Sequence, residues 1–379
     1  MAYSILWPDG HRFSDLVVGL KQVNFGKTKK VYEDKNGDFI ITHEDVLTAF
    51  DDRNCTGRAP GKWTASAYSS ALLFRLLEKK WVQTTHRGII NANTTREEGL
   101  NMLPFEVIWR RYNVKGNSWE KRHPGQVEVG AKYDAIKYEA CLKWSVVDDD
   151  AKEEKDRIVN DPFFILDDNF EPLLRSDGMP RLMHPKNPNH EIRYSSVLHP
   201  NKWGIISFDE VRAAVEKFKH HAGGIRQDTE VVQETTFNTY AEAGRENVDG
   251  KCEYGERKTN SQLILGDELE LDSLRNMSLK KISVNGKEYE YKEDLLGRDL
   301  NEVIAEWVAN VSRIILAEHS GKQRFRDLVE PWRFCAMSDR RQRANDAAAE
   351  EVTESVYMPV AQALSDRFGR EVWYILQAA

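Results

Sequence analysis

The chain is poor in cysteine. Cys55, Cys141, Cys252 and Cys335 are scattered over 379 residues, with no C-x-x-C pair. That pattern excludes a disulfide framework, leaves a zinc site without its usual thiolates, and fits a reduced, cytoplasmic compartment. No apolar run approaches the length of a membrane span, so no membrane partner is expected. The first residues lack a long apolar core after basic residues, so no secretory signal is expected either. Basic residues are in deficit: 54 Lys and Arg stand against 61 Asp and Glu, a net charge of −7. General nucleic-acid binding needs a basic face and is not expected, although a local basic pocket for phosphate is allowed. Ten histidines are present, but none form H-x-x-x-H. There is no internal repeat and no low-complexity linker.

What remains is an ordinary globular composition, long enough for two or three domains or one large α/β body with additions. Val31-Tyr32 and Phe39 to Ile41 read as strands around a Lys35-Asn36-Gly37-Asp38 turn. Trp63 to Leu77 has helical spacing, and Pro104 to Trp109 reads as a buried strand. Glu139 to Val147 reads as a strand, Asp148 to Asp156 as a solvated charge run, and Phe170 to Pro200 as irregular backbone. Ser207-Phe-Asp-Glu210 is a capping box opening a helix to about His221, with a second helix over Asp228 to Ala243. Ile282 to Tyr289 reads as a hairpin around Asn285-Gly286. Helices are expected over Leu300 to His319, Gln323 to Arg340 and Ala347 to Phe368. His220-His221, near a helix end, takes a solvent-facing role by default.

The chemistry concentrates between Asp249 and Arg275. In Asp249-Gly-Lys251-Cys-Glu253, the alternation puts Asp249, Lys251 and Glu253 on one face of a strand. A second apolar run, Leu263 to Leu265, ends in Asp267-Glu268. Joined as a hairpin, the two runs bring Glu253 and Asp267 together. Two carboxylates beside a lysine suit Mg²⁺ with nucleotide phosphates; acidic strand ends also serve as plain solvated turns. Gly26-Lys27-Thr28-Lys29-Lys30 precedes a strand, as a glycine-rich flap over phosphates would, or as a basic surface turn would. It is not a Walker A loop, because six residues rather than four separate Gly19 from Gly26. Arg110, ending an apolar strand, and Arg275, just past the acidic segment, can offer bidentate forks to a phosphate or carboxylate, or can pair internally.

In this order the motifs resemble the SAICAR synthetase family (phosphoribosylaminoimidazole-succinocarboxamide synthases). The resemblance is carried by Gly26-Lys27 before Val31-Tyr32, by Ala49-Phe50-Asp51, and by Pro104, Glu106 and Arg110. Its most specific part is Asp249, Lys251, Glu253 and Gly255 followed by Asp267, Glu268, Asp272, Ser273 and Arg275. Met183-His184 and Trp203-Gly204 to Ser207 match more loosely.

The resemblance implies an α/β (α+β) fold. A small N-terminal antiparallel sheet domain (1–103) would carry the phosphate-covering loop. A larger nucleotide-binding α/β domain (104–299) and a helical C-terminal section (300–379) would follow. It implies an ATP-dependent carboxylate–amine ligase using Mg²⁺, joining aspartate to the carboxylate of an aminoimidazole ribonucleotide in purine biosynthesis. Gly26, Lys27, Thr28, Lys29 and Lys30 would cover the ATP phosphates, with Met102 at the adenine and Lys251 near the phosphates. Glu253 and Asp267 would hold the metal, and with Lys251 form the catalytic set. Glu106, Arg110, Asn117, Ser118, Asp272, Ser273 and Arg275 would face the substrate. A homo-oligomer is allowed.

The chain also departs from the family pattern. Asn117 stands at the family's serine place after an apparent one-residue insertion, Leu271 replaces a proline, and Gly250 sits inside the Asp-x-Lys strand. The family's acidic, lysine-bearing loop is poorly matched by Gly178 to Asn189, and extra material lies around 120–200 and 280–350. Two alternatives therefore stay open: a ligase of the same fold acting on another carboxylate-bearing nucleotide, and a non-catalytic nucleotide-binding protein.

Overall fold

The computed structural model describes residues 20–25, 29–49, 52–91, 93–114, 117–187, 189–199, 204–270, 273–277, 279–284, 287–290, 313–316, 321–330 and 339–377. Five strands form the N-terminal antiparallel sheet, in the order Lys21–Phe25, Lys29–Glu33, Phe39–His43, Thr94–Glu97, His86–Asn91. The expected hairpin closes at Gly37, whose φ of 81° suits a residue without Cβ. Asp34 holds that turn by accepting from the backbone N–H of Asn36 at 2.7 Å and of Asp38 at 3.1 Å. The helix expected over Trp63 to Leu77 is Lys62–Glu78.

Seven strands build the central sheet. Its backbone is the antiparallel pair Leu100–Tyr112 and Glu246–Arg257, flanked by Lys132–Leu142 on one side and by Leu263–Gly266 and Leu274–Met277 on the other. Along Leu100–Tyr112, alternate residues Leu103, Phe105, Val107 and Trp109 are buried in the core. The intervening Glu106, Ile108 and Arg110 stand opposite Glu253, Lys251 and Asp249. Paired residues of an antiparallel ladder share a face, so these six project together, away from the core. The edge of this sheet joins the N-terminal one, with Leu265 exchanging backbone hydrogen bonds with Gln83 and Thr85.

One 35-residue helix, Phe208–Glu242, covers the core face, where the sequence reads as two. Gly223-Gly224 does not break it. Val211, Val215, Phe218, Ala222, Ile225, Thr229 and Val232 are all buried at alternating spacings of four and three, so one apolar stripe runs through the glycines. That burial outweighs a penalty of about 1 kcal/mol per glycine. Phe218 stacks on Phe105 with ring centroids 4.1 Å apart. The capping box is present: Glu210 N–H donates to Ser207 Oγ at 3.2 Å, and Ser207 N–H to Glu210 Oε2 at 2.9 Å. Replacing Ser207 with Ala should lower stability by about 1 kcal/mol, read as a lower denaturant midpoint with an unchanged slope.

Two other expectations are corrected. The strand read over Glu139 to Val147 is two, Lys132–Leu142 and Ser145–Asp148, in different sheets. The chain turns between them at Lys143-Trp144, where Lys143 N–H donates to Pro104 O at 2.8 Å. Within the helix read over Leu300 to His319, the described segment Arg313–Leu316 is a strand paired with Leu279–Val284. Ile314 and Ile315 are β-branched, and a neighbouring hairpin offers them ladder partners that a helix would forgo. The last two helices are Gly321–Val329 and Asp339–Val352, continued through an i→i+5 turn at Thr353–Tyr357 into Met358–Gln377. Asn285 and Gly286, the turn of the later hairpin, lie outside the described residues; the strands beside them pair as expected. No helix of the described residues is long and apolar enough to cross a membrane.

Candidate active site

Glu106 and Glu253 sit directly opposite each other on neighbouring strands, an arrangement that repels unless a cation lies between them. Lys251 is that cation. Its Nζ lies 2.6 Å from Glu106 Oε2 and 3.4 Å from Glu253 Oε1. Lys143 reaches the other Glu253 oxygen. The hairpin from Glu246–Arg257 to Leu263–Gly266 pairs Glu253 with Gly266, which sets Asp267 beside Glu253 as expected. Asp267 has φ of 55°, a left-handed conformation that an Asp tolerates better than most residues. Its carboxylate accepts from Lys29 Nζ at 2.7 Å, so the N-terminal sheet reaches the acidic loop through Lys29.

The electrostatics fit these contacts. Burial acts to lower the Lys251 ammonium, but Glu106, Glu253 and Asp267 more than offset it and hold it raised. Burial likewise acts to raise Asp267, yet Lys29 and Lys251 keep it well below the usual carboxylate range. Glu253 is raised by burial and then by Asp267, against Lys251 and Lys143. Two carboxylates placed side by side and matched by lysines could exchange those ammonium groups for a hard divalent cation. Glu253 and Asp267 suit Mg²⁺, which takes one or two carboxylates and completes its shell with water or phosphate oxygens.

Beside Glu253 opens a cleft of about 630 Å³, lined by Met102, Leu103, Pro104, Lys143, Trp144, His199, Glu210, Lys217 and others. Met102 is 44% exposed at its wall, on the same strand as Glu106. Lys143 has no mark in the sequence. It follows an apolar strand, and only the turn at Pro104 aims it at Glu253.

A second group lies along the same face. Asp249, 4% exposed, accepts from Arg275 Nε at 2.7 Å and from Arg110 Nη1 at 3.4 Å. Arg110 is equally buried and also donates to Glu139 Oε2 at 2.7 Å and to Ser118 Oγ at 2.6 Å. Arg122 pairs with the other Glu139 oxygen. Burial pulls Arg110 down from its ordinary value, against Asp249. Arg110 is thus spent inside the protein, whereas Arg275 keeps part of its fork at the surface. Asn117 caps the short helix Ser118–Arg122 by accepting from Glu120 N–H at 2.6 Å.

The other expected site residues are placed as follows. Lys30 pairs with Glu44. Ser273 Oγ closes its own turn, accepting from Glu270 N–H at 3.0 Å and donating to Glu270 O at 2.9 Å. Gly26, Lys27, Thr28 and Asp272 lie outside the described residues, as do Phe50, Asp51 and Trp203. Gly250 has a local cause: a Cβ there would stand 2.2 Å from Trp109 Cζ2 and 2.7 Å from Leu274 Cδ2. Trp109 occupies the space a larger residue would take and donates from Nε1 to Asn247 Oδ1 at 3.0 Å.

Comparison with known proteins gives a concordant result. The family model described as SAICAR synthetase matches residues 22–165 and 203–314. A phosphoribosylaminoimidazole-succinocarboxamide synthase from Sulfolobus acidocaldarius is 29% identical over 257 residues, covering 67% of this chain and 83% of the relative. The same enzyme from Finegoldia magna is 24% identical over 283 residues, covering 73% and 92%. Among solved structures, a SAICAR synthetase in complex with ADP superposes with a TM-score of 0.46 at 21% identity, covering 75% of this chain and 95% of that one.

Proposed function

This chain belongs to the SAICAR synthetase family, and on that premise we propose that it is an ATP-dependent ligase joining aspartate to the carboxylate of an aminoimidazole ribonucleotide. The observation that carries the reading is the juxtaposition of Glu253 and Asp267 with Lys251, Lys143 and Lys29 beside an open cleft. In this reading the substrate carboxylate attacks the terminal phosphoryl group of ATP, forming an acyl phosphate and releasing ADP. The aspartate amine then attacks the acyl carbon, phosphate leaves, and the amine proton passes to solvent. Chemistry of this kind depends mainly on positioning and charge stabilisation.

The residues divide that work. Glu253 and Asp267 would hold Mg²⁺, which would supply neutralisation of charge on the phosphate oxygens. Lys29 would meet the nucleotide phosphates, a role the family resemblance extends to Gly26, Lys27, Thr28 and Lys30, and Lys251 and Lys143 would approach them from the other side. Met102 borders the adenine. Arg275 and Ser118 would face the phosphate of the ribonucleotide, with Ser273 near by, and the resemblance adds Asp272 to this set. Arg110, closed in by Glu139 and Asp249, orients Ser118 and Asp249 rather than presenting its own fork.

A second reading keeps the fold and changes the acceptor. It is favoured by Asn117, whose side-chain oxygen accepts from the Glu120 N–H of the cap and whose amide nitrogen donates to Asn113 Oδ1 at 3.4 Å rather than toward a phosphate. The test is ADP release with MgATP, the aminoimidazole carboxylate ribonucleotide and aspartate, each omitted in turn. Release that requires all three, with a succinocarboxamide product by mass, is the expected outcome. Tight MgATP binding with release supported only by another nucleotide carboxylate would favour the second reading. Binding without release under any acceptor would make the protein a non-catalytic nucleotide binder.

A further inference from the structure

We propose that His43, Glu268 and Glu270 form a second cation site, suited to a borderline first-row metal such as Zn²⁺ or Co²⁺ rather than Mg²⁺. Among the described residues they are the one trio of His, Cys, Asp or Glu whose ligand atoms all lie within 4.8 Å of one another. They come from distant parts of the chain: His43 ends a strand of the N-terminal sheet, and Glu268 and Glu270 follow the strand Leu263–Gly266.

The spacing is already close to that of a metal shell. His43 Nε2 lies 3.4 Å from Glu268 Oε1. Two donors on a tetrahedral shell of radius about 2.1 Å stand about 3.4 Å apart. The inner two residues are deeply buried, His43 at 5% and Glu268 at 6% exposure. Yet His43 Nε2 and both Glu268 carboxylate oxygens make no hydrogen bond. Buried polar atoms without such a bond are costly, and a cation between His43 and Glu268 would satisfy them. Lys29 is near, at 3.3 Å from Glu268 Oε2, but its shorter contact is with Asp267 at 2.7 Å.

The charges around the cluster point the same way. Burial above all pushes the His43 imidazole down to about 4, with Lys29 and Lys62 adding to it against Glu270 and Glu97. Glu97 is held at 2.9 Å from His86 Nδ1, with its second oxygen also lacking a hydrogen bond. An imidazole with two carboxylates selects zinc or cobalt over magnesium, which prefers oxygen and retains its water. A cation here would tie the N-terminal sheet to the loop that carries Asp267. The inference does not depend on which carboxylate the enzyme activates.

The test uses the full-length protein freed of metal with a chelator. It is titrated with Zn²⁺ in excess Mg²⁺, and with Co²⁺ as an optical probe. One equivalent of Zn²⁺ should bind despite the Mg²⁺ and should survive Glu253→Gln. Glu270→Gln should weaken it by more than the roughly tenfold that loss of even an outer-shell partner costs. His43→Cys should add a thiolate-to-cobalt charge-transfer band, a readout that stability changes cannot imitate. No Zn²⁺ uptake in excess Mg²⁺ would overturn the proposal. So would uptake unchanged by Glu270→Gln, or a cobalt spectrum of His43→Cys without the thiolate band.

Discussion

Glu253→Gln should lower turnover by on the order of a hundred-fold or more while leaving the fold intact. Gln keeps the shape of Glu253 and removes the charge that faces Lys251, Lys143 and the neighbouring Asp267. In the substituted protein Lys251 keeps Glu106 at 2.6 Å, so the ladder between the two strands retains its central ion pair. The loss should therefore appear in catalysis and not in the thermal midpoint. It should also persist at saturating Mg²⁺, because the missing group is one of two carboxylates for the metal rather than an outer charge. Measuring kcat against total Mg²⁺, alongside circular dichroism, checks both parts. Near-normal turnover would remove Glu253 from the metal site and with it the ligase reading of this face.

The second large effect concerns stability. Asp249→Ala should destabilise the protein by about 3 kcal/mol or more, since removing one partner of a buried ionic network strands the charges left behind. Those charges are specific. Arg110 would keep Glu139 but lose Asp249, and Arg275 would lose both of its bonds to that carboxylate. Arg122, already facing the Arg110 charge, would sit in a more positive pocket shared with Glu139. Equilibrium unfolding in urea, compared with wild type at equal slope, measures the change. A loss within the scatter of ordinary surface substitutions would mean that Arg275 and Arg110 find water or another acceptor.

Much of this face is legible in the order of the residues. The alternation of Asp249, Lys251 and Glu253, and an apolar run ending in Asp267, are period-two signals that survive folding because one sheet face is buried. Partners supplied by distant segments are not legible in that way. Lys143 reaches Glu253 across 110 residues, and Glu139 reaches Arg110 across 29, with nothing local to mark either. Lys29 reads as a phosphate group, but its contact with Asp267 depends on how the two sheets meet. A helix break at Gly223-Gly224 follows only if glycine propensity is weighed without the apolar stripe around it. The strand at Arg313–Leu316 reads as helix for the converse reason, its ladder partner lying about thirty residues earlier.

The lysines that balance Glu253 and Asp267 have a consequence for the order of events. The site carries its own counter-ions, so any incoming cation must displace ammonium groups rather than fill a vacant negative well. Free Mg²⁺ gains little from such an exchange, because each carboxylate it captures leaves a lysine unmatched. A magnesium–nucleotide complex brings anionic oxygens that take over the displaced lysines, so the exchange conserves ion pairs. On the proposed reading the protein would discriminate between the bare ion and the complexed one, and the side chains that balance the two carboxylates at rest would be those that grip the phosphates.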